Sequence, residues 1–284
     1  MSSQPEPELT SRQYQRKVAA EFTGSLLFQF LAGVAALSSV KYGLAAAALG
    51  IGFSYMVISF ALRGISVGHL NPAVTVSLLV TQPKGYNIDW VLCCMYITAQ
   101  IIGSIIGMFM VVFLIPMDTP PCNNPDGCNP VDPLVYYSLF MARGTLTGSH
   151  GLSVFLMEFF CTSALVWVFY GTSVDPHGKA HNLAPLAIGF AMIVGVFAEG
   201  PGTGASMSPA RSLAPAVVKG SYEYLFAPLA ATLLAGIVTG LVYNYLFLFD
   251  EHVPDLYHIT AAPGQHDAEG YQSKIKGGDG YSRL

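Results

Sequence analysis

Charge is what this chain lacks most. Only 11% of its 284 residues are Asp, Glu, Lys or Arg, against about a quarter in an ordinary soluble domain. With 52% hydrophobic residues, that is too little charge for a water-facing surface. No run of like charge is present and the net charge is only −4. The first argues against a nucleic-acid partner; the second says little about partners where most of the surface faces lipid. There are five cysteines, none at metal-ligand spacing, so no metal or cofactor is expected. No nucleophile–base set and no glycine-rich phosphate loop is found, so an enzyme is not expected. The polar start "MSSQPEPELTSRQYQRK" has no signal-peptide pattern, so the first apolar segment is expected to stay in the mature protein.

Long apolar runs are what the chain does have. A membrane-crossing helix needs about 20 mostly apolar residues. Six candidates run over about 18–40, 43–62, 89–115, 152–171, 184–199 and 223–248, the fifth extending a few residues at either end. Their rotation is not legible, because lipid-facing and core-facing sides are both apolar. With both ends cytoplasmic, nine Lys and Arg fall inside (Arg12, Arg16, Lys17, Arg63, Lys84, Lys179, Lys274, Lys276, Arg283) and three outside (Lys41, Arg143, Lys219). That asymmetry supports a cytoplasmic location for both termini. Cys93, Cys94 and Cys161 fall in apolar spans, where they serve packing. Cys122 and Cys128 fall in the outer loop "PPCNNPDGCNP", where a disulfide and two free thiols are both open.

The chain repeats itself. Asn71 and Ser208, each followed by Pro-Ala, lie 137 residues apart. Glu21 and Glu158 share that offset, as do Gly52-Phe53 with Gly189-Phe190 and Gly103 with Gly240. Three spans per half is an odd number, so the halves insert in opposite orientations. Each Pro-Ala stretch, "GHLNPAVTVSL" and "GASMSPARSL", is too short to cross alone. The expected geometry is two re-entrant segments meeting near the membrane midplane, where irregular backbone is tolerated only when buried or lining water. Asn71 and Ser208 are expected as N-caps, with Pro72 and Pro209 at the first helical position. The half-helices should run about 72–80 and 209–218. Two positive helix ends facing one passage repel cations.

These stretches, with "AAEF", "AQIIGSIIG" and "LAPLAIGF" in this order over about residues 12–250, resemble the aquaporins, or major intrinsic proteins. The resemblance implies an all-α membrane protein with six transmembrane helices, two re-entrant half-helices and an inverted internal repeat. It also implies one pore per subunit and a homotetramer. The chain then divides into a cytoplasmic tail 1–17, a channel domain 18–248 and a cytoplasmic, disordered tail 249–284. The channel domain has halves 18–115 and 152–248, joined by an outer loop 116–151. The pore motifs are Asn71-Pro72-Ala73 and Ser208-Pro209-Ala210. The second departs from the family's Asn-Pro-Ala: serine has one O–H donor on a shorter arm, which should widen the centre and weaken its hold on water.

The resemblance places the outer selectivity filter at Ile51, Val196, Ala205 and Arg211. Water-selective relatives have an aromatic and a histidine at the first two positions, which are aliphatic here. A wider, drier ring favours glycerol, urea or hydrogen peroxide besides water. Against this, Ser212 stands where glycerol-favouring members have aspartate, and no aromatic occupies the filter. Arg211, costly in a membrane unless partnered or wet, suits donation to a neutral solute and repulsion of cations. Glu21 and Glu158 are expected to accept loop N–H groups as structural supports rather than carry protons, and His69 to line the inner pore mouth. His177 and His181 in "SVDPHGKAHN" are either solvated loop residues or a pH gate. The reading is a passive, ion-excluding channel for water and small neutral solutes in the lipid bilayer, in the plasma membrane rather than an internal one. A junctional or scaffold protein with a closed pore is the alternative.

Overall fold

The computed structural model describes residues 10–83, 86, 88–115, 151–176, 178, 181–222 and 225–248. Cys122, Cys128, His177 and the 249–284 tail lie outside these residues. Eight α-helices are found among them: α1 Ser11–Tyr42, α2 Leu44–Leu62, α3 Pro72–Thr81, α4 Trp90–Leu114, α5 Gly151–Phe169, α6 Ala184–Thr203, α7 Pro209–Lys219 and α8 Phe226–Leu246. A π-turn, Tyr170–Val174, prolongs α5, and a 3-10 turn, His181–Leu183, leads into α6. Six of the helices are long and apolar enough to cross a membrane. The other two, α3 and α7, have 10 and 11 residues, about 15 Å of rise, half a bilayer core.

One boundary differs from the sequence reading, and another extends as expected. Helix α1 starts at Ser11, because Thr10 and Gln13 form a capping box: Thr10 N–H donates to Gln13 Oε1 (2.7 Å) and Gln13 N–H to Thr10 Oγ1 (3.3 Å). That pattern, Thr-x-x-Gln, is a helix start even ahead of polar residues. Helix α6 runs past Gly200-Pro201-Gly202 to Thr203. A proline one turn from a helix end removes one backbone bond and leaves the rest. The helix stops at Gly204 in the left-handed region (φ 93), whose N–H closes onto the Gly200 carbonyl (3.0 Å).

The packing obeys the repeat. Helix α1 packs on α2 and α4, as α5 packs on α6 and α8; α4 packs on α7, as α8 packs on α3. Helices α2 and α6 pack on each other, and the tips of α3 and α7 meet. Gly52 and Gly189 explain the α2–α6 crossing. A Cβ built on Gly52 would lie 2.6 Å from the Gly189 carbonyl, and one on Gly189 3.0 Å from the Gly52 carbonyl. No side chain larger than hydrogen fits where these backbones touch.

The molecule is also inside-out. Phe53, Phe60, Phe109, Phe113, Phe160 and Phe197 are exposed, while Glu21, Asn71, Gln100, Glu158 and Arg211 are buried. Outward apolar side chains suit lipid, and the buried polar groups are affordable only where they find partners.

Candidate functional site

The segments that enter α3 and α7 have the same backbone. Val67, Gly68 and Leu70 take positive φ (71°, 69° and 50°), and so do Gly204, Ala205 and Met207 (93°, 53° and 49°), at the repeat offset. Of the five non-glycine residues with positive φ among those described, four lie here and Gln82 is the fifth. Left-handed backbone of this kind costs roughly 1–3 kcal/mol per residue and persists only where the surroundings impose it.

The buried glutamates impose it. Glu21 Oε1 accepts the His69 N–H (3.0 Å) and the Ser66 hydroxyl (2.6 Å). Its Oε2 accepts the Leu70 N–H (2.8 Å) and Gln100 Nε2 (2.7 Å). Glu158 repeats this: Oε1 accepts Ser206 N–H (3.0 Å) and Thr203 Oγ1 (2.8 Å), and Oε2 accepts Met207 N–H (2.9 Å). Every acceptor site so filled makes a carboxylate tolerable without water.

The two half-helix starts differ in one respect. Asn71 is extended (φ −152, ψ 117), and its Oδ1 accepts the Ala73 N–H (2.9 Å), a true N-cap. Its Nδ2 crosses to the other half and donates to the Met207 carbonyl (2.8 Å). Ser208 has the same extended backbone (φ −158, ψ 130), but its hydroxyl caps nothing and has no hydrogen-bond partner. The expected Ser208 cap is therefore corrected. A serine oxygen sits one bond nearer the backbone than an asparagine amide, and local serines compete for the same turn. Ser206 Oγ donates to the Ser208 carbonyl (2.7 Å) and lies 2.5 Å from Ser212 Oγ. In the first half, His69 Nδ1 holds the equivalent place, 3.1 Å from Thr75 Oγ1.

Arg211 leaves the start of α7 fully buried. Its Nη1 donates to the carbonyls of Ala205 and Ser206, both at 2.7 Å. Its Nε and Nη2 are buried with no partner within the protein, so two N–H-bearing nitrogens of a fixed cation are left unsatisfied by the fold. Ile51, Val196 and Ala205 are buried members of one hydrophobic core cluster, and Ala205 supplies a carbonyl to Arg211. Sequence reasoning missed two neighbours. The Arg211 guanidinium carbon lies 5.6 Å from the Phe28 ring centre, within cation–π reach, and Nη1 lies 3.7 Å from Met192 Sδ. An aromatic does reach the arginine, but from α1, at a position that an unreadable helix rotation hides. Glu199 was also missed. It is wholly buried, and neither carboxylate oxygen has a hydrogen-bond partner.

His69 packs among rings, with Tyr86 stacked at 6.0 Å and Tyr96 and Phe169 edge-on at 5.3 and 5.7 Å. His181 sits apart, in the 3-10 turn before α6. Among the described residues no cluster of metal-ligating side chains occurs.

The family described as Major intrinsic protein matches residues 8–243. The protein named "Probable aquaporin TIP2-2" of Arabidopsis thaliana is 33% identical over 239 residues, 81% of this chain and 86% of that one. "Probable aquaporin TIP-type RB7-5A" of Nicotiana tabacum is 34% identical over 242 residues, again 81% and 86%. The X-ray structure of the aquaglyceroporin from Plasmodium falciparum superposes with a TM-score of 0.65 at 21% identity, covering 82% of this chain and 96% of that one. At that identity the likeness speaks to the fold.

Proposed function

Because the chain belongs to the major intrinsic protein family, and so is a multi-pass membrane channel for water and small solutes rather than an enzyme, we propose that its pore runs between the starts of α3 and α7. Asn71-Pro72-Ala73 and Ser208-Pro209-Ala210 form the centre of that pore. Ile51, Val196, Ala205 and Arg211 form the outer filter, and His69 the inner mouth. Glu21 and Glu158 hold the two entering loops. The observation that carries this reading is the bond from Asn71 Nδ2 to the Met207 carbonyl (2.8 Å). It brings the two positive helix ends to one point, where they repel cations while donors remain for neutral solutes.

The filter has two aliphatic members and one cation, so glycerol, urea or hydrogen peroxide should pass beside water. Ion exclusion rests on the paired helix ends and on Arg211. Both termini are placed in the cytoplasm by the Lys and Arg distribution, and the subunits assemble as a homotetramer. The TIP designation of the plant relatives favours an internal membrane over the plasma membrane.

Light scattering by proteoliposomes tests the reading. Shrinkage in an impermeant osmolyte above the protein-free rate, followed by fast reswelling in glycerol, is expected. Shrinkage without reswelling would make Ser212 a better guide to solute range than Ile51 and Val196. No response in either would favour the scaffold alternative.

A further inference from the structure

In both halves a buried glutamate accepts the two N–H groups of the entering loop, but the side chain between those groups differs. Position 69 is histidine and its repeat counterpart, position 206, is serine. Where Ser206 spends its hydroxyl on its own turn, His69 reaches further and meets Tyr86. Tyr86 Oη lies 3.2 Å from His69 Nε2, and the two rings stack 28° from parallel. The other ring nitrogen faces Thr75 Oγ1, which Gln100 Nε2 also binds (3.0 Å). Both nitrogens are thus held, three aromatic rings enclose the imidazole, and only 1% of the residue is exposed.

Tyr86 does not lie on a helix. It is delivered by the connection from α3 to α4, which is folded back by identifiable contacts. Gln82 ends α3 in the left-handed region (φ 43). Its Nε2 donates to the Leu79 carbonyl (2.9 Å) and the Ile88 carbonyl (2.8 Å), clamping both ends of the turn. Within it, Tyr86 N–H donates to the Pro83 carbonyl and Ile88 N–H to the Tyr86 carbonyl, each at 3.0 Å. Such a built turn aims one ring at one imidazole.

We propose that Tyr86 is a specificity-determining residue of the channel: it fixes the His69 ring across the inner mouth and so makes a second, aromatic constriction below the aliphatic outer filter. The inference rests on the placing of His69 at the inner mouth. A water molecule passes beside a held imidazole more readily than a polyol does. The inner ring, rather than Ile51 and Val196, then sets the size limit. The outer filter admits glycerol, and the inner mouth slows it relative to water without stopping it.

The test compares glycerol and water fluxes of full-length Y86A, Y86F and wild type in proteoliposomes, per reconstituted protein. Y86A removes the ring, and the glycerol-to-water flux ratio should rise severalfold. Y86F keeps the ring and frees His69 Nε2; loss of one buried hydrogen bond shifts the ring's resting population on the order of fivefold, so its ratio should rise less than that of Y86A. A merely structural Tyr86 would change the amount of folded protein and leave the ratio alone. Unchanged or lowered ratios in both variants overturn the proposal, and Y86F decides it if Y86A does not fold. V196W separates this from the pore reading. If it abolishes both fluxes in the wild-type and Y86F backgrounds, flux runs through the assigned path. If it leaves them intact, the assigned path is wrong and the proposal falls with it.

Discussion

Glu158 and Arg211 hold opposite ends of the same two peptide groups. The carboxylate accepts the N–H groups of Ser206 and Met207 (3.0 and 2.9 Å), and Arg211 Nη1 donates to the carbonyls of Ala205 and Ser206 (both 2.7 Å). The two charges are coupled through a polarised backbone rather than by direct contact. The first half has an uncharged version. Glu21 accepts the Leu70 N–H, and the Tyr55 hydroxyl donates to the His69 carbonyl (2.7 Å) across the same peptide. The arginine is thus an addition to a support that works without it.

Removing the anion of the outer pair should be costly. In E158Q an amide NH2 must face one of two buried N–H donors, and the buried Arg211 loses its counter-charge. Breaking a buried ionic arrangement costs about 3–5 kcal/mol. Thermal unfolding in detergent should show a much lower Tm for E158Q, with water flux lost. A Tm within a degree or two of wild type would show that the loop holds itself.

Ser208 leaves α7 without a side-chain cap, so S208N should restore one. The asparagine Oδ1 would reach the Ala210 N–H as Asn71 Oδ1 reaches that of Ala73. An N-cap contributes about 1 kcal/mol, and Tm should rise accordingly. Proton leak, followed with an internal pH dye, should fall in S208N. Equal leak in both forms would sink the idea that Ser208 weakens the centre.

Glu199 should be dispensable for folding. On α5 it faces the Cys161 thiol, a weak donor, and the like charge of Glu158, and both carboxylate oxygens lack a full hydrogen bond. Burying such a group without partners costs a few kcal/mol, so E199M should raise Tm. A lowered Tm in a scan of the two proteins would instead reveal a partner the carboxylate depends on.

Asp89 caps α4 outside the membrane-crossing segments. Its partial desolvation raises the carboxyl's pKa, but the Leu92 N–H (2.6 Å), the Tyr14 hydroxyl and the Val91 N–H outweigh that and hold it below the ordinary value. A folded pKa below the unfolded one adds stability above the unfolded value and loses it as pH falls through the folded one. D89A should therefore cost about 1 kcal/mol at neutral pH. The Tm gap to wild type should close as pH drops below the usual carboxylate range. A gap that stays constant into acid would assign the cost to packing instead of charge.

Particular residues show what was legible beforehand. The Thr10–Gln13 capping box was in the sequence, yet polar residues ahead of an apolar run read as a tail. Helix α6 extends to Thr203, a few residues beyond its apolar run as expected, because a proline near a helix end removes only one bond. Ser208 read as a cap because residue type and φ/ψ both suit one. Whether its oxygen reaches the N–H is a matter of side-chain length and of Ser206 and Ser212 nearby, which no local pattern contains.

Composition and the 137-residue offset by themselves determined the class of this protein. Six apolar spans, an odd number per half and two Pro-Ala half-helices leave the chain an inverted, pore-forming arrangement. Apolar runs report that they avoid water, and a repeat reports that two segments fold alike. The tertiary structure alone decided which side chains meet. A helix that is apolar all round carries no record of its rotation, so Phe28 beneath Arg211, Gly52 against Gly189 and the orphaned carboxylate of Glu199 emerge only when the helices are packed. Tyr86 on His69 is likewise a long-range pairing, set by how one connection folds back on itself.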